Sequence, residues 1–192
     1  MLISPYENFP HIAGEQVVLR KVVDGDLDAL CELYASEAVF RYIPGDVKKN
    51  RSTVQNMIGH FERDFHKKKE IFLGICPADE PGRLVGLCEL FDYDARIGGI
   101  TLGYRICAAF WGRGFATWTV KAATGYLFKE TGVNRIQAFV MPENAASCRV
   151  LLKNGFQREG LLRQSQYWKG RGIVDLLLFS RLRSDLGTPS VP

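Results

Sequence analysis

Residues Phe110 to Thr117 read FWGRGFAT and run directly into WTVKAATGYLF. A strand-like run, GITLGYRIC, ends just before them, and a helix-like run begins inside them. Glycines at such a junction either turn the chain or let backbone N–H groups close on an anion. The second use has a physical basis: the first N–H groups of a helix lack intrahelical acceptors, and the helix dipole favours negative charge there. Gly112 and Gly114 would let the backbone approach a phosphate, and Ala116 keeps a large side chain away. Arg113 either adds a charge contact or faces solvent. A Walker loop is excluded, because no Gly-Lys followed by Ser or Thr is present. A dinucleotide fingerprint needs GxGxxG in a parallel βαβ unit; Thr117 holds its third glycine position, and the preceding strand reads as part of a meander.

The meander is read from three apolar runs: Glu70–Pro77, Arg83–Asp94 and Gly99–Cys107. The turn-forming segments PADEPG and ARIGG separate them. Upstream, Val17–Val22 predicts a strand. DGDLDALCELYAS then predicts a helix capped by Asp24 or Asp26. A loop, EAVFRYIPGD, leads to a second helix over Ser52–Lys69. Downstream, the pattern predicts a helix from Phe115 to about Thr131, a strand at Arg135–Val140 and a helix over Asn144–Lys153 stopped by Asn154-Gly155. Two strands joined by KGRG, Gln157–Trp168 and Ile173–Leu182, close the chain. The fold class is therefore α+β (mixed α/β): one mostly antiparallel twisted sheet of about seven strands flanked by about four helices. A single domain over residues 1–186 and a flexible tail at 187–192 are expected.

A second constellation, Met141–Gly160, reads MPENAASCRVLLKNGFQREG. Together with LGYRICAAFWGRGFAT it resembles the GNAT superfamily of acyl-CoA-dependent N-acetyltransferases, in particular the RimJ/RimL-like branch. The likeness extends from about Val17 to Leu186, taking in VVLRKVVDGDLDAL and DLLLFSRLRSD. The family's R/Q-x-x-G-x-G/A motif falls on Trp111 to Ala116, with Trp111 in place of the polar first residue.

The resemblance implies acetyl-CoA as co-substrate, with its pyrophosphate on the N–H groups of Gly112, Arg113, Gly114, Phe115, Ala116 and Thr117. Its pantetheine arm would run beside Tyr104, Arg105 and Ile106, and a strand N–H near Tyr104 would polarise the thioester carbonyl. Asn144 matches a residue that holds the pantetheine region, and equally reads as a helix N-cap. Ser147 matches a group that protonates the departing thiolate, or else merely fills the first turn. A Glu common in the branch is replaced by Thr101, and ATEA by ATWT with Trp118. The nearest carboxylate is Glu89, inside an apolar strand, as a general base or water-orienting group or as half of a salt bridge. Phe40, Arg41 and Tyr42 lie where relatives admit the acceptor, and Tyr167 either closes that pocket or packs.

The implied activity is direct acetyl transfer to a primary amine, a protein N-terminus or a small molecule, in a ternary complex. The missing Glu leaves open an alternative: a catalytically impaired module that binds acyl-CoA for sensing. A net charge of +4 over 192 residues, without a basic-aromatic strand signature, argues against nucleic acid as partner. No apolar run approaches a membrane span. The five cysteines form no CxxC pair and lie away from the three histidines, which argues against a metal site and for reduced thiols in a cytoplasmic protein. A homodimer stays open.

Overall fold

The computed structural model describes residues Ile3 to Gly187. Eight strands form one sheet: β1 (Ile12–Ala13), β2 (Val17–Lys21), β3 (Glu70–Pro77), β4 (Gly86–Asp94), β5 (Gly99–Ile106), β6 (Arg135–Val140), β7 (Gln157–Trp168) and β8 (Gly172–Leu182). Their order is β1-β2-β3-β4-β5-β6-β8-β7, antiparallel throughout except for β5 against β6. Five helices cover it: α1 (Leu27–Ala35), α2 (Glu37–Phe40), α3 (Arg51–His66), α4 (Phe115–Glu130) and α5 (Ala145–Lys153). The strand and the helix beyond the sequence count are β1 and α2. Two residues carry no detectable alternation. A single turn capped by Ser36, whose Oγ accepts from Val39 N–H at 3.3 Å, carries no helical period. The expected tail lies outside the described residues, save Gly187, which ends a 3₁₀ turn.

Two expectations need correction. Strand β5 closes the meander with β3 and β4, but it also pairs in parallel with β6, so β5-α4-β6 is a βαβ crossover after all. Asp26 occupies the N-cap position of α1, yet its side chain makes no cap. It accepts instead from Val23 N–H and, in a two-pronged pair at 2.8 Å, from the Arg20 guanidinium.

The main core lies between α4 and α5 and their face of the sheet, with Leu102, Val120, Leu127, Ile136, Leu151 and Phe179 buried in it. A second core under α1 and α3 joins Leu30, Leu33, Val54, Phe61 and Leu87. Arg183 ties the far end of α4 to the sheet by donating to the carbonyls of Phe128 at 2.5 Å and Thr131 at 2.8 Å.

Burial also holds several protons in place. Desolvation pushes the Tyr6 and Tyr34 phenols up to about 12 and the Cys76 and Cys107 thiols up to about 11. An unfolded chain gives such protons up from about pH 9 to 10, so the native state binds more protons in that window. Stability is therefore full below about pH 9 and falls as pH climbs toward 12. Urea unfolding should show a lower midpoint at about pH 10.5 than at about pH 8; an unchanged midpoint contradicts this.

Candidate active site

The junction Phe110–Thr117 folds into a glycine turn that starts α4. Gly112 and Gly114 adopt φ of 75° and 84°, left-handed values that side chains resist. Gly114 is the N-cap and supplies no side-chain hydrogen bond, so the first N–H groups of a sixteen-residue helix are left uncapped by any side chain. The position of a Cβ on Gly112 meets nothing within 4 Å, which leaves the turn open to an approaching group. Trp111 anchors it from behind: its indole N–H donates to the Ile106 carbonyl at 2.8 Å. Asn154 Nδ2 donates to the Thr117 carbonyl at 3.3 Å, so the end of α5 is fastened to the start of α4. Arg113 stacks over Phe110, 5.3 Å from the ring centre.

Strand β5 delivers the second half of the site. It pairs with β6 only at Gly99, Ile100 and Thr101, and beyond that point the two strands separate. A bulge in β4 between Phe91 and Asp94 lies opposite these residues, and such an irregularity bends its strand and steepens the twist. Alternation along β5 decides where its free backbone groups point. Gly98 O accepts from Asn134 and Arg135 N–H on the β6 side, and Ile106 O turns to Trp111, whereas Cys107 N–H donates to Val85 on the β4 side. Even-numbered residues therefore face away from β4. Thr101 is the last paired residue, so beyond it the Leu102 C=O and both backbone groups of Tyr104 face the gap with no strand to receive them.

The gap opens into a cleft of about 900 Å³. Leu102–Ile106 and Ala138–Val140 form its walls, and Gly112, Gly114 and Phe115–Thr117 form one end. Tyr104 Oη and Ser147 Oγ stand 2.7 Å apart within it, joining β5 to the first turn of α5. Burial raises the Tyr104 phenol well above its ordinary range, with the Ser147 contact working the other way, so the phenol keeps its proton. Asn144 accepts from Ser147 N–H at 3.1 Å through Oδ1 and so caps α5, while it also lines the cleft. Arg149 and Lys153 line it too, one helical turn apart on the face of α5 that looks toward the glycine turn. Their spacing within CRVLLK was the signal that sequence reading passed over.

Odd-numbered residues of β5 face α1–α3. Arg105 turns this way, so its side chain does not accompany Tyr104 and Ile106 along the gap. It pairs with Glu89, and its guanidinium lies 5.5 Å from the ring centres of both Tyr34 and Phe40. The pair is well shielded, with side-chain exposures of 11% for Arg105 and 16% for Glu89. Glu89 Oε1 takes the arginine; Oε2 lies beside Gly103, 3.7 Å from where a Cβ would stand there. Thr101, in the place of the family's Glu, is buried and accepts from Gln137 Nε2 at 3.2 Å.

The three expected acceptor residues separate. Tyr42 lines the cleft. Phe40 packs against Tyr34 and Arg105 behind it, a supporting position. Tyr167 is 74% exposed and lies on the opposite strand face from its neighbours Gln166 and Trp168, which do line the cleft. Among the described residues no cluster of three His, Cys, Asp or Glu is placed to hold a metal, and all five cysteines are free thiols. Among the described residues no helix is long and apolar enough to cross a membrane.

A split sheet whose open strand runs into an uncapped, glycine-led helix defines an acyl-CoA-dependent transferase. Residues 16–157 match the family model described as Acetyltransferase (GNAT) domain. The chain belongs to the GNAT acetyltransferase family. It is 32% identical over 162 residues to the uncharacterized N-acetyltransferase YoaA of Bacillus subtilis (strain 168), covering 84% of this chain and 91% of that protein. It is 28% identical over 156 residues to the [ribosomal protein uS5]-alanine N-acetyltransferase of Escherichia coli (strain K12), covering 78% and 79%. The structure of Mycobacterium smegmatis RimJ in complex with CoA-disulfide superimposes with a TM-score of 0.86 at 21% identity, covering 96% of this chain and 92% of that one.

Proposed function

We propose that this N-acetyltransferase uses acetyl-CoA and acetylates a primary amine by direct attack in a ternary complex. The observation that carries the reading is the backbone edge of β5 beyond Thr101, free at Tyr104, leading straight to the uncapped start of α4. Coenzyme A is a thin chain of amides ending in a pyrophosphate, and the two features match its two halves. The gap takes an extended amide-bearing arm as a further strand would be taken. The N–H groups from Gly112 to Thr117 take the pyrophosphate, with Arg113, Arg149 and Lys153 supplying positive charge. Asn144 Nδ2, left free by the cap, is placed for the arm.

The chemistry requires a lone pair on nitrogen, a polarised carbonyl and a protonated leaving group. The amine would give its proton to Glu89, through Oε2 or a water held there. Nitrogen then bonds to the thioester carbon while the Tyr104 N–H stabilises the oxygen's growing charge. The C–S bond breaks, the thiolate takes its proton from the Ser147 or Tyr104 hydroxyl, and the second proton shed by the acylated nitrogen returns, directly or through water, to that hydroxyl. Those two hydroxyls are hydrogen-bonded to each other, so each can relay for the other.

Calorimetric titration with acetyl-CoA tests the reading; no binding at high micromolar concentration rejects it. Ser147→Ala and Tyr104→Phe should each lower kcat about tenfold to a hundredfold with acetyl-CoA affinity nearly unchanged. The double variant should lose little more than the worse single one, since the two act as a unit. Full additivity in single-turnover assays would mean two independent roles. The proposal includes a cytoplasmic location, with which the five free thiols agree.

A further inference from the structure

We infer that the acceptor is a small zwitterion: an amine that also carries a carboxylate or phosphate, seated by Arg41 and Arg171. The inference rests on the acetyltransferase reading and concerns the acceptor end of the same cleft. Tyr42 lines that end, and two guanidinium groups flank its ring, Arg41 at 5.3 Å and Arg171 at 5.7 Å from the centre. Among the described residues neither arginine has a carboxylate within salt-bridge distance. Arg171 finds only the Met141 sulfur at 3.4 Å, which carries no charge. Asp46, four residues beyond Tyr42, is taken by Lys169 at 2.5 Å.

The other charges of the cleft sort by position. Arg105 and Glu89 neutralise one another, apart from the Oε2 edge. Arg149 and Lys153 look toward the glycine turn, at the coenzyme end. Asp92, exposed and without a cation partner, lies on β4 beyond Glu89. The acceptor end is thus polarised: carboxylate oxygens on the β4 side suit an ammonium, and Arg41 in the lining, with Arg171 against the same Tyr42 ring, suits an anion. A polyamine would find acidic partners at one end and repulsion at the other. A neutral amine would leave both arginines unpaired.

Size follows from how the rim is held. Tyr42 packs on Met141, Trp168 and Val174, and Lys169 of the β7–β8 turn pairs with Asp46 of the segment after α2. The β7–β8 turn and the segment after α2 are therefore drawn together over the acceptor end. That narrows the way in for a folded protein surface and leaves room for a small molecule.

The test is binding as well as turnover. Matched amines with and without the anion (glycine and glycinamide, β-alanine and its amide, phosphoethanolamine and ethanolamine), spermidine, and a short C-terminally amidated peptide are titrated into protein saturated with CoA. Release of CoA thiol is then followed with acetyl-CoA. Acid members should exceed their neutral partners by about tenfold or more in affinity and kcat/KM. The carboxylate and phosphate arms tell which anion is preferred. Arg41→Gln and Arg171→Gln, both at exposed positions, should bring that ratio close to one by raising KM for the acids alone, with acetyl-CoA affinity unchanged. A preference for spermidine, the amides or the peptide overturns the inference, as does a ratio indifferent to both substitutions. Those outcomes leave the acetyltransferase reading standing; failure to bind acetyl-CoA removes both.

Discussion

Gly114→Asp should give a folded protein that no longer takes up acetyl-CoA. The folded state tolerates the change better than the φ of 84° suggests. Aspartate visits left-handed conformations more readily than most residues, at a cost of about 1 kcal/mol. A new Cβ would touch only the Trp118 indole, at 3.4 Å. Aspartate is also among the preferred N-cap residues, and its charge suits a helix start. Those gains are what defeat binding. The carboxylate would occupy the donors that the pyrophosphate requires and would repel it, weakening affinity by roughly a hundredfold or more, about 3 kcal/mol. Calorimetry and thermal unfolding separate the two effects. A Tm within a few degrees of the parent with no heat of binding is the expected pair of results; retained affinity would mean that the coenzyme lies elsewhere.

The second large effect is expected at Glu89. Glu89→Gln keeps the volume and an oxygen for Arg105, so folding should suffer by only about 1–3 kcal/mol. What it removes is a proton acceptor beside Gly103. We expect kcat to fall about a hundredfold or more, with KM for acetyl-CoA unchanged, because the contacts proposed for the coenzyme are on the other side of β5. Arg105→Met attacks the same pair from its other end. It strands a buried carboxylate and should cost about 3–5 kcal/mol in stability. If Glu89 served only to hold Arg105, both variants would lose stability in proportion and Glu89→Gln would retain its kcat. Steady-state rates measured well below each variant's unfolding temperature distinguish these outcomes.

The sequence made most of this fold legible because its elements are long and regular. Glu70–Pro77 and Arg135–Val140 were bounded to the residue, since apolar runs there end at turn chemistry, and the mostly polar Gln157–Trp168 was bounded by Asn154-Gly155 before it and KGRG after it. It could not show where β5 leaves β6, because that depends on twist and on a bulge beside Asp92, whose φ of 52° no local pattern announces. The glycine turn was readable as a possible anion site, for its function depends on backbone conformation that glycines advertise. Side-chain alliances across the fold were not. That Arg105 would turn to Glu89, or that Arg41 and Arg171 would share one ring across 130 residues of chain, is decided by which strand faces pack together. Tyr167 shows the same limit: one step along β7 separates a cleft residue from a solvent-facing one.

The parting of β5 from β6 has one more consequence. An unpaired strand at the rim of a sheet invites other chains to join it. Here the unpaired stretch is enclosed between two halves of one sheet, so the edge of another folded sheet, which brings its neighbouring strands with it, cannot lie against it. The slot acts as a gauge: it admits a guest of single-chain thickness that brings its own donors and acceptors, and it turns away anything broader.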